Sequence, residues 1–207
     1  MKHAVDLSAW NRREHFEFFR QYEMPFWGVT ANLDCTRMYR RAKTEGFPFS
    51  LGYHYASLRA VNEVEEFRMR LEGELPVCYD TVHLSTTVAR PDGTFGFSFV
   101  EFNRDFQKFL ADCLAENQRI QSEPGLSESH SGDDVVYFTV LRGISFTSVS
   151  HPFRLKWQTG IPLIGFGEIF SEGDRRLLPH SVHVHHAFVD GQHMTKYFQR
   201  LQELLNE

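Results

Sequence analysis

The run His185-His186-Ala187-Phe188-Val189-Asp190-Gly191 joins an imidazole pair to a carboxylate four residues on, followed at once by glycine. An imidazole titrates near neutral pH, so it can take up and return a proton during turnover. Two readings fit the spacing. In one, a His at a strand end is a general base and Asp190 fixes the local turn. In the other, polar residues and a Gly turn merely finish a strand, since short motifs of this kind recur without function. A metal site is a third possibility, because His183, His185, His186 and Asp190 are ligand types. Strand alternation argues against it: His183 and His185 share one face and His186 points to the other. No second carboxylate or Cys cluster lies near them, so no metal is expected.

The elements that must position these residues follow from periodicity. Trp10, Phe16, Phe19 and Tyr22 recur at near-helical spacing, and Pro25 closes that helix. Residues 26–33 read as a strand, 36–45 as a helix stopped by Gly46, and 49–64 as a more buried helix. Strands are expected over 67–71, 76–88 and 94–102, with Pro91-Asp92-Gly93 as a turn. Phe95, Phe97 and Phe99 alternate there, giving one aromatic face suited to a pocket or to plain core. Asn103 is placed to cap a helix carrying Phe106, Phe109, Leu110, Cys113 and Leu114 on one stripe. A polar loop over 122–134 leads to strands at 135–141, near 154–157, at 161–170 and at 177–186, with a hairpin turn at 172–174 and a closing helix over 194–205. Interleaved helices and strands with late hairpins give an α/β class with a mixed sheet, in one domain spanning 1–207.

The chain resembles the chloramphenicol acetyltransferase family. The resemblance rests on two separated blocks: Trp10 to Arg20 (WNRREHFEFFR), and Glu172-Gly173-Asp174-Arg175, Leu178-Pro179, Ser181 to His186, Asp190-Gly191 and His193. Arg200 to Leu204 (RLQEL) is also similar to that family's last helix. It implies a two-layer α/β sandwich, with helices covering one face of the mixed sheet, and transfer of an acetyl group from acetyl-CoA to a small hydroxyl acceptor such as chloramphenicol. It further implies a homotrimer with active sites between subunits. His186 would take the proton from the acceptor, and Asp190 would pair with Arg12. Thr139 would stand where the family has a Ser hydroxyl that stabilises the oxyanion. Phe19, Thr86, Phe95 and Gly165 fall on pocket positions.

Departures fall in the pocket. The family's Ser-Ala-Leu-Pro-Trp run is Thr139-Val140-Leu141-Arg142-Gly143 here. A Thr that helps hold a bound water becomes Gly165, and a pocket Tyr becomes Phe19. The resemblance therefore speaks more directly to acetyl transfer than to the acceptor. Two alternatives stand beside it. One is a non-catalytic or divergent relative that binds a different small apolar ligand. The other is a dihydrolipoyl acyltransferase, which shares the His-x-x-x-Asp-Gly element, although no lipoyl or subunit-binding segment is seen.

Composition narrows the classes. With 42% hydrophobic and 24% charged residues, the chain of 207 can bury a core. A net charge of −5 without a basic run argues against nucleic-acid partners. Apolar runs fall well short of the ~20 residues of a membrane span, and residues 1–20 lack the apolar core of a signal peptide. Cys35, Cys78 and Cys113 are scattered, which favours free thiols and a cytoplasmic setting. Phe is abundant, at 20 copies, which points to aromatic cores or interfaces.

Overall fold

In the computed structural model, residues 1–126, 130–153 and 159–207 are described; the strand expected near 154–157 lies outside them. The chain runs through β1 (Lys2–Ala4), α1 (Arg13–Phe19), β2 (Phe26–Asp34), α2 (Thr36–Glu45), α3 (Phe49–Glu63), β3 (Met69–Glu72), β4 (Leu75–Tyr79), β5 (His83–Ala89), β6 (Phe95–Val100), α4 (Phe106–Ser122), β7 (Val135–Val140), β8 (Leu163–Phe166), β9 (Phe170–Glu172), β10 (Arg175–His185) and α5 (Gly191–Leu205).

The main sheet has the order β2-β10-β8-β7-β5-β6, with β9 pairing β10 off that path. β5–β7 and β7–β8 are parallel and the other pairs antiparallel, so the sheet is mixed as expected. β10 sits inside it, paired with β2 over nine positions on one side and with β8 on the other. Even-numbered residues of β10 face the helices: His180 meets Tyr197 of α5, whose hydroxyl also pairs with Ser57 of α3 at 2.7 Å. Odd-numbered residues face the opposite side, where a cavity opens.

Several elements differ from expectation. α1 is short because Asp6 anchors the preceding turn: its carbonyl accepts from Ala9 and Trp10, and its carboxylate from Ser8. Arg12 is thus the residue before the helix and not part of it. Residues 65–68 form a short 3-10 turn, and the expected strand over 76–88 is split between β4 and β5. β4 belongs to a separate three-stranded sheet, β1-β4-β3. Arg70 ties that small sheet to the large one. It is fully buried and donates to the carbonyls of Phe67, Met69, Asp133 and Val135, which fixes the start of β7. Burial of the guanidinium brings its pKa down to about 10. The cap of α4 is Asp105, accepting from Gln107 and Lys108, while Asn103 instead bonds the Asp105 amide. Gly46 ends α2 at φ 78°, a left-handed position that suits glycine. The three cysteines are free and buried, and among the described residues no helix is long and apolar enough to cross a membrane.

Candidate active site

β10 delivers adjacent histidines into different surroundings. His185 ends the strand on the side of Phe26, with ring centroids 5.4 Å apart, and its Nδ1 accepts from the Ala187 amide at 3.2 Å. Burial, with the nearby His186, pushes its pKa down to about 4, so it is a neutral structural group at pH 7. His186 lies just beyond the strand. Its amide donates to the Pro25 carbonyl at 2.8 Å, and its ring stacks on Phe19 at 3.9 Å with planes 6° apart. Trp27 closes a second side at 5.3 Å and is itself held by a bond from Nε1 to the Val189 carbonyl. His186 is half-buried, and its Nδ1 is buried without a partner. The aromatic clamp fixes the ring plane, and no carboxylate pairs with it among the described residues.

Asp190 is built into the start of α5. Its Oδ1 accepts from the amides of Gln192 and His193, while its own amide donates to His193 Nδ1 at 3.1 Å, which makes a reciprocal cap. Because Nδ1 accepts, neutral His193 carries its proton on Nε2 and presents it to Glu66 Oε1 at 3.2 Å. Burial lowers the His193 pKa, against the opposing pull of Glu66 and Asp190. Oδ2 of Asp190 takes a single bond from Arg12 Nη1 at 2.5 Å. Burial alone would raise the Asp190 pKa, but the Arg12 bond, His193 and the backbone donors outweigh it and the pKa is lowered. Arg12 and Asp190 thus meet as expected. The contact is single and partly exposed, not a buried fork, because Arg12 approaches end-on with Nε and Nη2 left over.

A cavity of about 500 Å³ opens on the odd face of the sheet. Thr86, Phe95, Phe97, Tyr137, Thr139 and His151 line it, together with Pro25 and Phe26. Thr139 is half-buried at the open face of β7. The Thr86 hydroxyl is buried and donates to the Phe138 carbonyl at 3.0 Å. Phe95 is 44% exposed, so the aromatic face of β6 belongs to this opening and not to the core. Of the expected pocket residues, Thr86 and Phe95 line the cavity. Gly165 lies beside it as the ladder partner of Thr139, and Phe19 supports His186 instead. Within one chain His186 does not line the cavity, although its amide bonds to Pro25, which does.

Periodicity gave no sign of His151 as a site residue. It sits in an irregular segment, and its neighbours there come from distant strands. His183 is half-buried with its ring across Gly28, where a Cβ would fall 2.4 Å from His183 Cδ2, so only glycine fits opposite it. Among the described residues no three His, Cys, Asp or Glu side chains are grouped to hold a metal ion.

Three comparisons bear on this arrangement. The family model described as chloramphenicol acetyltransferase matches residues 1–202. The chain is 30% identical to chloramphenicol acetyltransferase 3 of Escherichia coli over 203 residues, covering 97% of this chain and 95% of that one. It is 28% identical to a chloramphenicol acetyltransferase of Clostridium perfringens, covering 98% and 97%. A solved structure of a chloramphenicol acetyltransferase superposes with a TM-score of 0.88 at 27% identity, covering 99% of this chain and all of that one. A dihydrolipoamide acetyltransferase of Azotobacter vinelandii shares the fold at a TM-score of 0.68 and 17% identity, covering 94% and 86%. The two-layer architecture is thus that of known acetyltransferases, and this chain belongs to the chloramphenicol acetyltransferase family.

Proposed function

We propose that the chain moves the acetyl group of acetyl-CoA onto the hydroxyl of chloramphenicol or a similar small molecule, which would inactivate such an antibiotic. The observation that carries this is the clamped His186: an imidazole fixed in plane by Phe19 and Trp27, while Asp190 is spent on Arg12 and the cap of α5. With Nδ1 buried, Nε2 is the nitrogen that faces reactants. His186 takes the acceptor proton, and the alkoxide oxygen bonds to the thioester carbonyl carbon. The Thr139 hydroxyl donates to the resulting oxyanion. Collapse breaks the C–S bond, and His186 returns the proton to the departing thiolate, so one ester and one thiol leave. Arg12 and Asp190 hold the turn after His186 and do not relay protons.

The acceptor cavity and His186 lie apart within one chain, which supports a homotrimer in which His186 of one subunit meets the cavity of the next. Phe18, Met24 and Phe95, exposed at 58%, 62% and 44%, give apolar surface for such contacts. Free buried thiols, with Cys35 and Cys113 pushed up to about 12 by burial, suit the reducing cytoplasm, where acetyl-CoA is found. The test is purified protein with acetyl-CoA and chloramphenicol, followed with a thiol reagent and by mass of the ester. Ester formation supports the reading. Thiol release without ester, or no release with any alcohol, overturns it.

A further inference from the structure

On the cavity face of the sheet, two ladder rows lie side by side. Tyr137, Leu163 and His183 form one, and Thr139, Gly165 and Ser181 the other. Partners across a ladder present their side chains on one face, and Gly165, lacking a side chain, leaves room for the Ser181 hydroxyl to lie close over it. A Cβ at Gly165 would lie 2.6 Å from Ser181 Oγ, 3.5 Å from Val149 Cγ1 and 3.8 Å from His151 Nε2. Two polar atoms and one methyl therefore ring the same point. Ser181 is fully buried, and its Oγ has no partner. His151 Nε2 is also buried without a partner, and the ring stands edge-on to His183 at 5.3 Å. Buried polar atoms in native proteins are nearly always paired. Two orphans beside the same glycine call for a shared partner, and His151 also lines the cavity that holds Thr139.

We propose that His151 and Ser181 form a hydrogen-bonding subsite beside Gly165 that takes a second polar group of the acceptor, a hydroxyl or amide, and so sets acceptor preference. The inference rests on the acetyl-transfer reading above. Neighbouring strands are about 4.8 Å apart, so the subsite stands roughly one strand spacing from the Thr139 hydroxyl. An acceptor whose second polar group lies about that far from the reacting oxygen fills both. Burial and the neighbouring His183 push the His151 pKa down to about 4, so at neutral pH the ring is an uncharged imidazole with one donor and one acceptor nitrogen. It suits a hydroxyl or amide, with which it can both donate and accept, and it carries no charge to favour an anion. An alcohol without the second group leaves both atoms unpaired, and a site built to hydrogen-bond a hydroxyl discriminates strongly against the analogue that lacks it.

The experiment compares wild type with His151→Leu, Ser181→Ala and Gly165→Ala on three acceptors: chloramphenicol, a phenylpropanol and the matching phenylpropanediol. For each, kcat/KM is measured at saturating acetyl-CoA, and circular dichroism checks the fold. In wild type the diol is preferred over the mono-alcohol. His151→Leu and Ser181→Ala each reduce that preference by about tenfold, the worth of one hydrogen bond. Gly165→Ala, whose methyl would displace the Ser181 hydroxyl, lowers it as well. A preference unchanged in all three folded variants, or raised by Gly165→Ala, overturns the subsite while acetyl transfer stands. If wild type acetylates no alcohol at all, the transfer reading fails and takes this inference with it.

Discussion

Arg12 reaches Asp190 with one nitrogen only, Nη1 to Oδ2 at 2.5 Å, across 178 residues of sequence. The side chains keep 13% and 29% of their exposure, so the pair is screened more than a fully buried one would be. A charge-assisted bond of this kind contributes about 1.5–3 kcal/mol. Arg12→Ala and Asp190→Asn should each lower the stability to urea by an amount in that range. The double variant should lose less than their sum. Asn keeps the cap, which isolates the ion pair. Strict additivity in the cycle would show that the two residues do not act together.

The pair also has a pH signature. The folded pKa of Asp190 is lowered relative to the unfolded carboxyl near 3.9. Its contribution is therefore fully present above about pH 4 and is lost as pH falls through the lowered folded value. At neutral pH the stability gap between wild type and Asp190→Asn should be constant, and it should shrink only below about pH 4. A gap that narrows already near pH 6 would assign the effect to another group.

His54 of α3 is the better probe of mild acid. It is 5% exposed, both ring nitrogens are buried without partners, and its ring lies among Tyr53, Phe138 and Phe166. Burial pushes its pKa down to about 3, and His180 is held at about 3 in the same layer. Unfolded histidines bind a proton below about 6.5 while these two stay neutral, so stability falls as pH drops from there toward 3. Each contributes a slope of up to about 1.4 kcal/mol per pH unit. His54→Leu should flatten the curve and leave the protein more stable than wild type at pH 5. Chemical denaturation at pH 7 and 5 checks this, and an equal pH loss in both proteins contradicts it.

His186→Ala should cut acetyl transfer by about 10²–10⁴ or more with little change in melting temperature, because its ring is half-buried against Phe19. Wild-type turnover in this variant would remove His186 as the base.

The shared-site arrangement predicts a light-scattering mass near three times 24.2 kDa. It also predicts complementation. Phe95→Arg blocks the cavity mouth, and His186→Ala removes the base. Co-expressed, the two inactive chains should regain activity, since some subunit boundaries would carry both intact halves. A monomeric mass, or no recovery from verified mixed trimers, would refute it.

Local chemistry made part of this structure legible. Gly46 stops α2 where its glycine stands, β2 begins after Pro25, and the 172–174 turn joins β9 to β10. His186 could be placed at a strand end, facing away from His183 and His185, because alternation put those two together; the strand itself stops one residue earlier, at His185. What failed depended on distant partners. α1 is shorter than its apolar spacing suggests because Asp6 holds Trp10 in a turn. Asn103 and Asp105 are equal cap candidates by type, and only the direction of the incoming chain selects Asp105. Nothing local marks β4 for a second sheet, since that pairing needs β1 and the buried Arg70. Ser181 comes to lie against Gly165 only because β8 and β10 pair in this register, and the segment after β7 brings His151 near the same glycine.

The position of β10 has a consequence for dynamics. A strand bonded along both edges cannot fray by itself, and its amides exchange with solvent only when much of the sheet opens. His186 is one residue beyond that strand, and its own amide is tied to Pro25. Amide exchange from residues 178–186 should therefore be among the slowest in the chain, near the global unfolding limit. On heating, the reacting end should keep its shape until the whole sheet gives way, so loss of activity and loss of fold should coincide in a single transition.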